Sequence, residues 1–357
     1  MSRKKVIMAL SGGVDSAVAA YLLKMQGFDL IGITFNIAAS EGAAFSAKAR
    51  AEIDAQMNDA AKTAWKLNFP HYVVDAGQEF SERIIKNFVS EYLSGKTPNP
   101  CVLCNEKIKW EELLKQANKL DCEYIATGHY ARIAEHKHRK YIRQALDEAK
   151  DQSYFLWKLS EKVLRKTLFP LGDYSKSEIK ALAGKIGLDE IAQKKESYNL
   201  CFLSGRNYRT FLEEKNPIFF DTIRSGKIIS EKGRLLGTHN GFPFYTIGQK
   251  IEINRLGQKY VYKIDAKENI IYVGEKERLY SSSFYVKDVN LTKYEKIPKD
   301  VVVGTKIRYK DKARLCKMNI LGDKIKVSLS EPIFAVCAGQ SAVFLEGSAL
   351  IGGGIIV

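Results

Sequence analysis

The sequence predicts an α/β protein with an N-terminal doubly wound parallel-sheet domain, a small β-rich linking domain and a C-terminal β-barrel. Three observations support this fold class. Apolar strand-like runs alternate with helical patterns over roughly the first 205 residues. A glycine loop, LSGGVDSA, directly follows the first run. Beyond about residue 206 short alternating runs are separated by turns containing Gly, Asn-Gly or Asp. The alternation of strands and helices in the first part favours a parallel sheet covered on both faces. The short runs in the second part favour antiparallel β modules.

The strands and helices of the first part follow from the spacing of apolar residues. Buried strands are predicted at residues 4–10, 28–35, 69–76 and 122–129. Helices are predicted at 14–26, 45–67, 78–94, 104–120, 153–168 and 175–187. The last helix opens with Ser175 and Glu178 in a capping-box pattern. Ligands of such sheets bind at the carboxyl ends of the strands, so the loops there are candidate site loops.

Chain length and pattern together predict three domains, because 357 residues exceed one ordinary core. The change of texture places one boundary near residue 206, and a second is placed near residue 280. The predicted domains are 1–205, 206–279 and 280–357.

Composition indicates a polyanionic partner and a reducing compartment. The net charge is +15, and residues 206–357 hold +10 of it, with 26 Lys and Arg against 16 Asp and Glu. Such an excess favours nucleic acid as a partner. Six cysteines are too few for a disulfide scaffold, which points to the cytoplasm. No apolar run approaches the length of about 20 residues that spans a bilayer, so no membrane role is expected.

The glycine loop after the first strand is predicted to hold phosphates. Gly12 and Gly13 let the backbone approach an anion, Ser11 and Ser16 add hydroxyl donors, and the following helix aims free amide groups at the same point. The loop lacks the endings of a Walker A or dinucleotide loop. Asp15 would repel a bare phosphate and is explained if Mg²⁺ accompanies the nucleotide. The predicted phosphate-binding segment comprises Ala9, Leu10, Ser11, Gly12, Gly13, Val14, Asp15 and Ser16.

Two cysteines, Cys101 and Cys104, stand between a Pro-rich turn and a helix. They could be zinc ligands, cluster ligands, a reactive thiol with its neighbour, or filler. Cys104 is predicted in the first turn of the helix, where free amide groups would lower the pKa of its thiol. Cys201, in a Lys-rich stretch flanked by Gly and Ser, is a second reactive candidate. The remaining cysteines lie in apolar runs and are predicted core thiols: Cys122, Cys316 and Cys337.

The motifs carry a family resemblance. SGGVDS resembles the pyrophosphate-binding loop of the PP-loop ATP pyrophosphatases, and Phe35 and Gly128 match that family's adenine and ribose contacts. The full set resembles the bacterial tRNA-specific 2-thiouridylases, in order from residue 10 to 356: SGGVDS, TPNPxxxCN, ATGHYAR, KDQSYFL, SxxxCF, YTIGQK and GQSAVFxxGxxLxGGGII.

The resemblance implies a reaction. The wobble uridine of tRNAs for Lys, Glu and Gln would be adenylated on its C2 oxygen by ATP and then converted to 2-thiouridine, with release of AMP and pyrophosphate. Cys201 would carry the sulfur as a persulfide, supplied by a cysteine desulfurase or a relay protein. Cys104 would be the partner nucleophile, closing a transient Cys104–Cys201 disulfide. The C-terminal barrel would bind the tRNA.

Two departures from the family pattern bear on the chemistry. The residue after Pro100 is often Asp in the family, where it would assist proton transfer at the target base, but here it is Cys101. The element often read as STGICF is here SYNLCF. Cys101 also raises an alternative, because Cys101, Cys104 and Cys201 could bind three corners of a [4Fe–4S] cluster whose fourth corner holds sulfide.

The resemblance also implies tRNA contacts, since C2 is inaccessible in a stacked anticodon loop and the base must be extruded. Residues implied around the base are Asn99, Pro100, Cys101, His129, Lys150, Asp151 and Gln152. The segment KIRYKDKAR, residues 306–314, has five basic residues and is predicted to be a β-surface that grips phosphates. The implied contacts in this C-terminal part are Arg308, Tyr309 and Gln340.

Two other functions remain open from the sequence. An amide-forming PP-loop ligase would capture the adenylate with ammonia and would not need Cys104 or Cys201. A non-enzymatic RNA-binding protein would use a Cys-bound metal for structure and ATP as an effector, and it would release no pyrophosphate with tRNA.

Overall fold

The computed structural model describes residues 3–38, 45–194, 200–203, 205–223, 225–254, 256–298 and 301–357. The strands of the first part are β1 (Lys5–Ala9), β2 (Asp29–Asn36), β3 (His71–Asp75), β4 (Tyr124–Ala126), β5 (Ala131–His136), β6 (Arg139–Gln144) and β7 (Thr167–Leu168). Its α-helices are α1 (Val14–Met25), α2 (Ala47–Lys66), α3 (Gly77–Phe80), α4 (Lys86–Leu93), α5 (Pro100–Cys104), α6 (Glu111–Lys119), α7 (Glu161–Leu164), α8 (Lys176–Lys185) and α9 (Asp189–Ala192).

The core of the first part is a five-stranded parallel sheet in the order β3-β2-β1-β4-β7. Alternate residues of β1 face opposite sides of this sheet. Val6 and Met8 pack with α1 and α8, whereas Ile7 packs with Leu113 of α6. Helices therefore cover both faces, and the predicted doubly wound parallel sheet is confirmed.

Two helix predictions need correction. The helix predicted from residue 104 begins at Pro100, whose fixed φ suits a first helical position, and it runs through a π-helical stretch, Asn105–Trp110, into α6. The helix predicted over 153–168 is wrong. A short 3₁₀ turn, Ser153–Phe155, precedes α7 and β7. Buried residues crowd this segment on every side, so they cannot lie on one helical face: Tyr154, Leu156, Trp157 and Leu159.

The second part forms a separate five-stranded sheet in the order β10-β11-β12-β8-β9, antiparallel except where β12 pairs with β8. FPFYTI, one of the short alternating runs beyond residue 206 that favour strands, begins instead with a 3₁₀ turn, Phe242–Phe244. The elements are α10 (Tyr208–Lys215), α11 (Pro217–Thr222), β8 (Gly226–Ser230), β9 (Leu235–His239), β10 (Lys250–Ile253), β11 (Gly257–Asp265) and β12 (Ile270–Gly274), followed by a 3₁₀ turn, Lys276–Leu279.

The third part is a closed six-stranded barrel, as predicted. Its order is β13-β16-β15-β14-β17-β18, and β18 pairs back onto β13. The segment 306–314 is mainly the loop between β14 and β15, and not the β-surface predicted. The strands are β13 (Tyr280–Leu291), β14 (Val303–Lys306), β15 (Arg314–Leu321), β16 (Lys324–Phe334), β17 (Ser341–Glu346) and β18 (Ala349–Ile356).

The barrel is joined to the first part by a hairpin that sequence reasoning missed. β5 and β6 pair with each other, and β6 continues the barrel sheet through Leu350↔Ile142 and Ala349↔Arg143. The run RIAEHKHRKYIRQ is rich in charge, which hid its strand pattern. In the part of the chain that is described, no helix combines the length and apolarity needed to cross a membrane.

Candidate active site

The glycine loop lies between β1 and α1, as predicted, and its backbone is held by its own serines. The Ser16 hydroxyl donates to the Gly13 carbonyl at 3.0 Å, and the Ser11 amide donates to Ser16 Oγ at 3.1 Å. Gly13 is the N-cap of α1, and no side chain caps this end. The first amide groups of α1 have no intrahelical partner, so they form an anion-binding end.

Two glycines are required by the packing around this loop. Gly12 has φ +72, and a Cβ there would lie 2.3 Å from the Gln56 carbonyl oxygen of α2. Gly128, after β4, approaches from the other side, where a Cβ would lie 2.7 Å from the Ser16 amide nitrogen. Real Cβ atoms do not come this close to backbone, so both positions accept only glycine without displacement of the loop.

Asp15 has partners that the sequence did not reveal. The Lys176 ammonium lies 2.6 Å from Asp15 Oδ1, and the Tyr130 hydroxyl donates to the same oxygen at 2.8 Å. Lys176 therefore offsets the negative charge of Asp15 beside the phosphate site, in addition to any metal. A single carboxylate together with phosphate oxygens is a normal Mg²⁺ environment, so Asp15 fits the Mg²⁺ ion expected from the sequence.

The glycine loop and the first turn of α1 together form a phosphate cradle. This cradle opens into a pocket of about 740 Å³ that also contains Cys104 and Cys201. Its walls include Phe35 of β2, the Gly128 loop, and both Cys104 and Cys201. The two cysteines are 97 positions apart in the chain, yet they share this pocket. The predicted residues on its lining are Ala9, Leu10, Ser11, Asp15, Ser16, Phe35, Cys104, Gly128, His129, Gln152 and Cys201. Gly12, Gly13 and Val14 complete the loop behind Ser11 and Asp15.

Cys201 is placed by its neighbour. Phe202 is fully buried, with its ring 5.1 Å from that of Phe88 and 5.3 Å from that of Phe211. This anchor leaves Cys201 itself exposed on the pocket wall. The part of SYNLCF formed by Ser197, Tyr198 and Asn199 lies outside the described residues.

The thiols are not activated in the way the sequence predicted. Cys104 is the fifth residue of its helix and not part of the first turn. Burial raises the pKa of Cys104 to about 11 and that of Cys201 to about 12, although Cys201 is exposed to the pocket. The protein around the sulfur atoms displaces enough water to disfavour a charge there. Cys104 and Cys201 are not joined by a disulfide, and the prediction of a lowered pKa for Cys104 is wrong for this state.

Lys109 is a pocket residue that sequence reasoning missed. Its charge opposes the rise in the pKa of Cys104 and of Cys201. The π-helical stretch explains its position. Five residues of α-helix advance about 1.4 turns, whereas the wider π-helical turn, bonded from residue i to i+5, brings residue i+5 back closer to the face of residue i. Lys109 thus returns to the face of Cys104, and both line the pocket.

Of the implied base contacts on the β4–β5 side, His129 and Gln152 face the pocket. His129 Nδ1 lies 2.8 Å from Thr127 Oγ1, and burial holds the pKa of His129 well below its usual value, so the ring is neutral. Gln152 Oε1 accepts from the Tyr130 amide at 3.0 Å. Asp151 is buried and accepts from the Ser153 hydroxyl at 2.8 Å, so it holds the local turn. Lys150 ends a turn, and its amide donates to the Asp147 carbonyl.

The remaining implied contacts lie where the barrel meets the Pro-rich turn. Gln340 Nε2 donates to the carbonyls of Thr97 and Pro98 at 3.0 and 2.9 Å. Arg308 Nη1 donates to the Phe334 carbonyl at 3.1 Å. The Tyr309 ring lies 4.7 Å from that of Phe155. Asn99 and Pro100, which begin the helix Pro100–Cys104, lie beside this junction. Pro100 is buried at the first helical position, and the Asn99 side chain is hydrogen-bonded to Tyr154.

A zinc ion or a [4Fe–4S] cluster would need several side-chain ligands close together. Among the residues that are described, no three His, Cys, Asp or Glu side chains are arranged to hold one metal ion. The thiols of Cys101, Cys104 and Cys201 therefore do not form a ready site for zinc or for a [4Fe–4S] cluster, and no step is assigned to either.

The fold and the pocket define a PP-loop nucleotide-binding protein with β modules appended. Family models match the three parts in turn: "tRNA methyl transferase HUP domain" at residues 4–205, "tRNA methyl transferase PRC-barrel domain" at 219–275 and "Aminomethyltransferase beta-barrel domain" at 281–356.

Curated relatives match the whole chain. The tRNA-specific 2-thiouridylase MnmA of Cytophaga hutchinsonii is 42% identical over 364 residues, which cover 100% of this chain and 98% of that protein. The protein of the same name from Salinibacter ruber is 42% identical over 365 residues, covering 100% and 95%. The chain therefore belongs to the tRNA-specific 2-thiouridylase family, and so to the tRNA sulfurtransferases.

A solved structure of NMN synthetase from Francisella tularensis overlaps 60% of this chain and 78% of its own, with a TM-score of 0.35 and 16% identity. That overlap is too low to carry an argument about this chain.

Proposed function

We propose that this protein converts the wobble uridine of tRNAs for Lys, Glu and Gln to 2-thiouridine, using ATP and a cysteine persulfide. One observation carries the proposal: the anion-binding end of α1 and the thiols of Cys104 and Cys201 line a single pocket. A nucleotide site alone would suit many reactions, and so would a thiol pair. Their convergence suits activation of an oxygen followed by its replacement with sulfur.

The first step is adenylation of the base. The uridine C2 oxygen attacks the α-phosphorus of ATP, and pyrophosphate leaves. The amide groups of the first turn of α1 bind the departing phosphates together with the Ser11 hydroxyl, whereas the Ser16 hydroxyl donates to the Gly13 carbonyl and holds the loop. Mg²⁺, held by Asp15 with the phosphate oxygens, would neutralise phosphate charge. Lys176 holds the Asp15 carboxylate in place.

The second step is sulfur transfer. The terminal sulfur of a Cys201 persulfide attacks C2, and AMP departs with the former O2. The Cys104 thiolate then attacks Cys201 Sγ and breaks the S–S bond, which leaves sulfur on C2 and forms the Cys104–Cys201 disulfide. Two thiols thus supply the two electrons that reduce the transferred sulfur. An external dithiol must reopen the disulfide before the next turnover.

Binding of tRNA is proposed across the barrel and the Pro-rich turn. Residues 206–357 hold most of the positive charge. Tyr309 and Phe155 form an aromatic pair beside Asn99, near the start of the cysteine helix, and could stack an extruded base. Arg308 and Gln340 are anchored to backbone carbonyls here, so in this state they position the junction. The domain limits, the preference for three tRNAs and the cytoplasmic location stay predictions.

The test is a thiolation assay on unmodified tRNA with ATP, Mg²⁺ and a persulfide donor, read by mass spectrometry of the nucleosides. Cys201→Ser and Cys104→Ser should each lose at least about a thousandfold in 2-thiouridine formation, because each removes a group that acts as part of a unit. Pyrophosphate release should persist in both. Cys316→Ser, a half-buried barrel thiol, is the matched control and should behave as wild type.

The competing functions give different results in the same assay. An amide-forming ligase would tolerate both serine variants. A protein that only binds RNA would release no pyrophosphate when tRNA is added. Either outcome with the wild-type chain would reject the proposal.

A further inference from the structure

Cys101 is the one cysteine near the pocket that the proposed reaction does not use. It is exposed and lies in the first turn of the helix that begins at Pro100. Cys104 follows three positions later on the same helix and faces the pocket. Both are free thiols. The pair therefore has the CxxC spacing at a helix N-terminus that dithiol–disulfide chemistry uses.

Cys101 lies three positions before Cys104 on the helix and acts electrostatically on both reactive thiols. A charge on Cys101 would raise the pKa of Cys104 and of Cys201, so all three sulfur atoms share one electrostatic neighbourhood. Residues i and i+3 of a helix have Cβ atoms about 5–6 Å apart, and a disulfide needs about 3.5–4.5 Å. A shift of about 1–2 Å in the first turn would close that gap. The amide groups of this turn have no intrahelical partners, so the shift needs only the hydrogen bond from the Asn105 amide to the Cys101 carbonyl to lengthen.

We propose that Cys101 is a resolving thiol that releases Cys201 after each sulfur transfer. This step rests on the proposed function, since its substrate is the Cys104–Cys201 disulfide left by thiolation. The Cys101 thiolate attacks Cys104 Sγ, and the Cys104–Cys201 bond breaks. A Cys101–Cys104 disulfide forms, Cys201 leaves as a thiolate and takes up the proton that Cys101 lost, and no net oxidation occurs.

The exchange has two consequences. Cys201 becomes a free thiol and can accept the next sulfur at once. The oxidised pair now includes Cys101, which is exposed, so an external dithiol can attack it without entering the pocket. Lys109, whose charge favours the Cys201 thiolate, assists its departure.

The experiment follows the disulfides through a single turnover. Wild-type enzyme is loaded with sulfur from inorganic polysulfide, freed of excess, and mixed with ATP, Mg²⁺ and unmodified tRNA without reductant. Samples are quenched in acid with N-ethylmaleimide, and the disulfides are mapped by mass spectrometry of non-reduced peptides. We expect Cys104–Cys201 to appear first and to be replaced by Cys101–Cys104, with about one such bond for each 2-thiouridine formed and with Cys201 alkylated.

Two variants sharpen the test. In Cys101→Ser, the disulfide recovered per 2-thiouridine should be Cys104–Cys201 at every time, whatever the rate of the variant. Cys316→Ser should show the wild-type sequence of bonds. Should Cys101→Ser fail to fold, the wild-type time course still decides the matter.

The outcomes separate this inference from the proposed function. Formation of 2-thiouridine with Cys104–Cys201 as the final disulfide in wild type would overturn the role of Cys101 and leave thiolation intact. Absence of 2-thiouridine, with no Cys104–Cys201 bond at any time, would overturn the proposed function and this step with it.

Discussion

The nucleotide side and the sulfur side of the pocket are built in different ways. The cradle is one strand–loop–helix unit, Ala9 to Ser16, and its groups are hydrogen-bonded in place. The sulfur side joins Cys104, on a helix, to Cys201, on a short turn fastened by Phe202. The donors of the cradle are ready in this state. The thiols are protonated at neutral pH, because burial raises the pKa of each.

This contrast indicates which step of the proposed reaction needs activation. A preorganised cradle can bind ATP without rearrangement. Protonated thiols react slowly, because the thiolate is the nucleophile. Activation of sulfur must therefore accompany the arrival of a ligand or of a persulfide, which protects the thiols between turnovers.

Gly128→Ala should disrupt the phosphate cradle and give the largest loss of activity among these variants. Its Cβ would lie 2.7 Å from the Ser16 amide nitrogen and would displace the first turn of α1. Misplacement of about 1 Å costs about a hundredfold in rate, so tRNA-dependent pyrophosphate release should fall at least that far. Sulfur loading of Cys201 by polysulfide should be unchanged.

Gly237→Ala is the matched control, because nothing lies within 4 Å of a Cβ at that position. Equal activity of the two variants would show that the close approach at Gly128 is not needed.

The second-largest effect is expected in the pH dependence of alkylation of the pocket thiols. Between pH 7 and 9 the alkylation of Cys104 and Cys201 by iodoacetamide should rise about tenfold per pH unit, because the thiolate fraction does so below the pKa. No plateau is expected in this range, since the pKa values are raised to about 11 and about 12. His129 is already neutral and does not contribute. Site-resolved mass spectrometry measures the rates, and a plateau near pH 8 would contradict the protonated resting state.

Lys109→Met should have the smallest effect, and it tests whether the charge of Lys109 stabilises the thiolates of Cys104 and Cys201. Loss of this charge raises the pKa of both pocket thiols, so their alkylation at pH 8 should slow by about three- to tenfold, a change of up to about one pKa unit. Lys109→Arg should restore most of the rate. The control is Lys107→Met, since Lys107 pairs with Glu106 and Glu111 on the outer face. If alkylation of the two thiols is unchanged and ATP binds more weakly, Lys109 contacts the phosphates of ATP instead.

Much of the fold could be predicted because its signals are local. The parallel sheet followed from apolar runs at strand spacing, and the cradle from consecutive residues of one loop. The errors arose where tertiary contacts decide. The segment 153–168 was expected to be one helix, but its first part, from Ser153 to Leu159, packs buried side chains in several directions, which a single helical face cannot do. The β5–β6 hairpin is anchored to the barrel through Ala349 and Leu350 of β18, a contact between distant segments that no local pattern predicts.

Residue types at short spacing were enough to predict the phosphate-binding loop, the candidate reactive cysteines and the family. Only the tertiary structure decided that Cys104 and Cys201 share a pocket, that Lys109 faces them and that their thiols rest in the protonated form. These properties depend on distance and on the exclusion of water, and both arise only when segments far apart in the chain pack together.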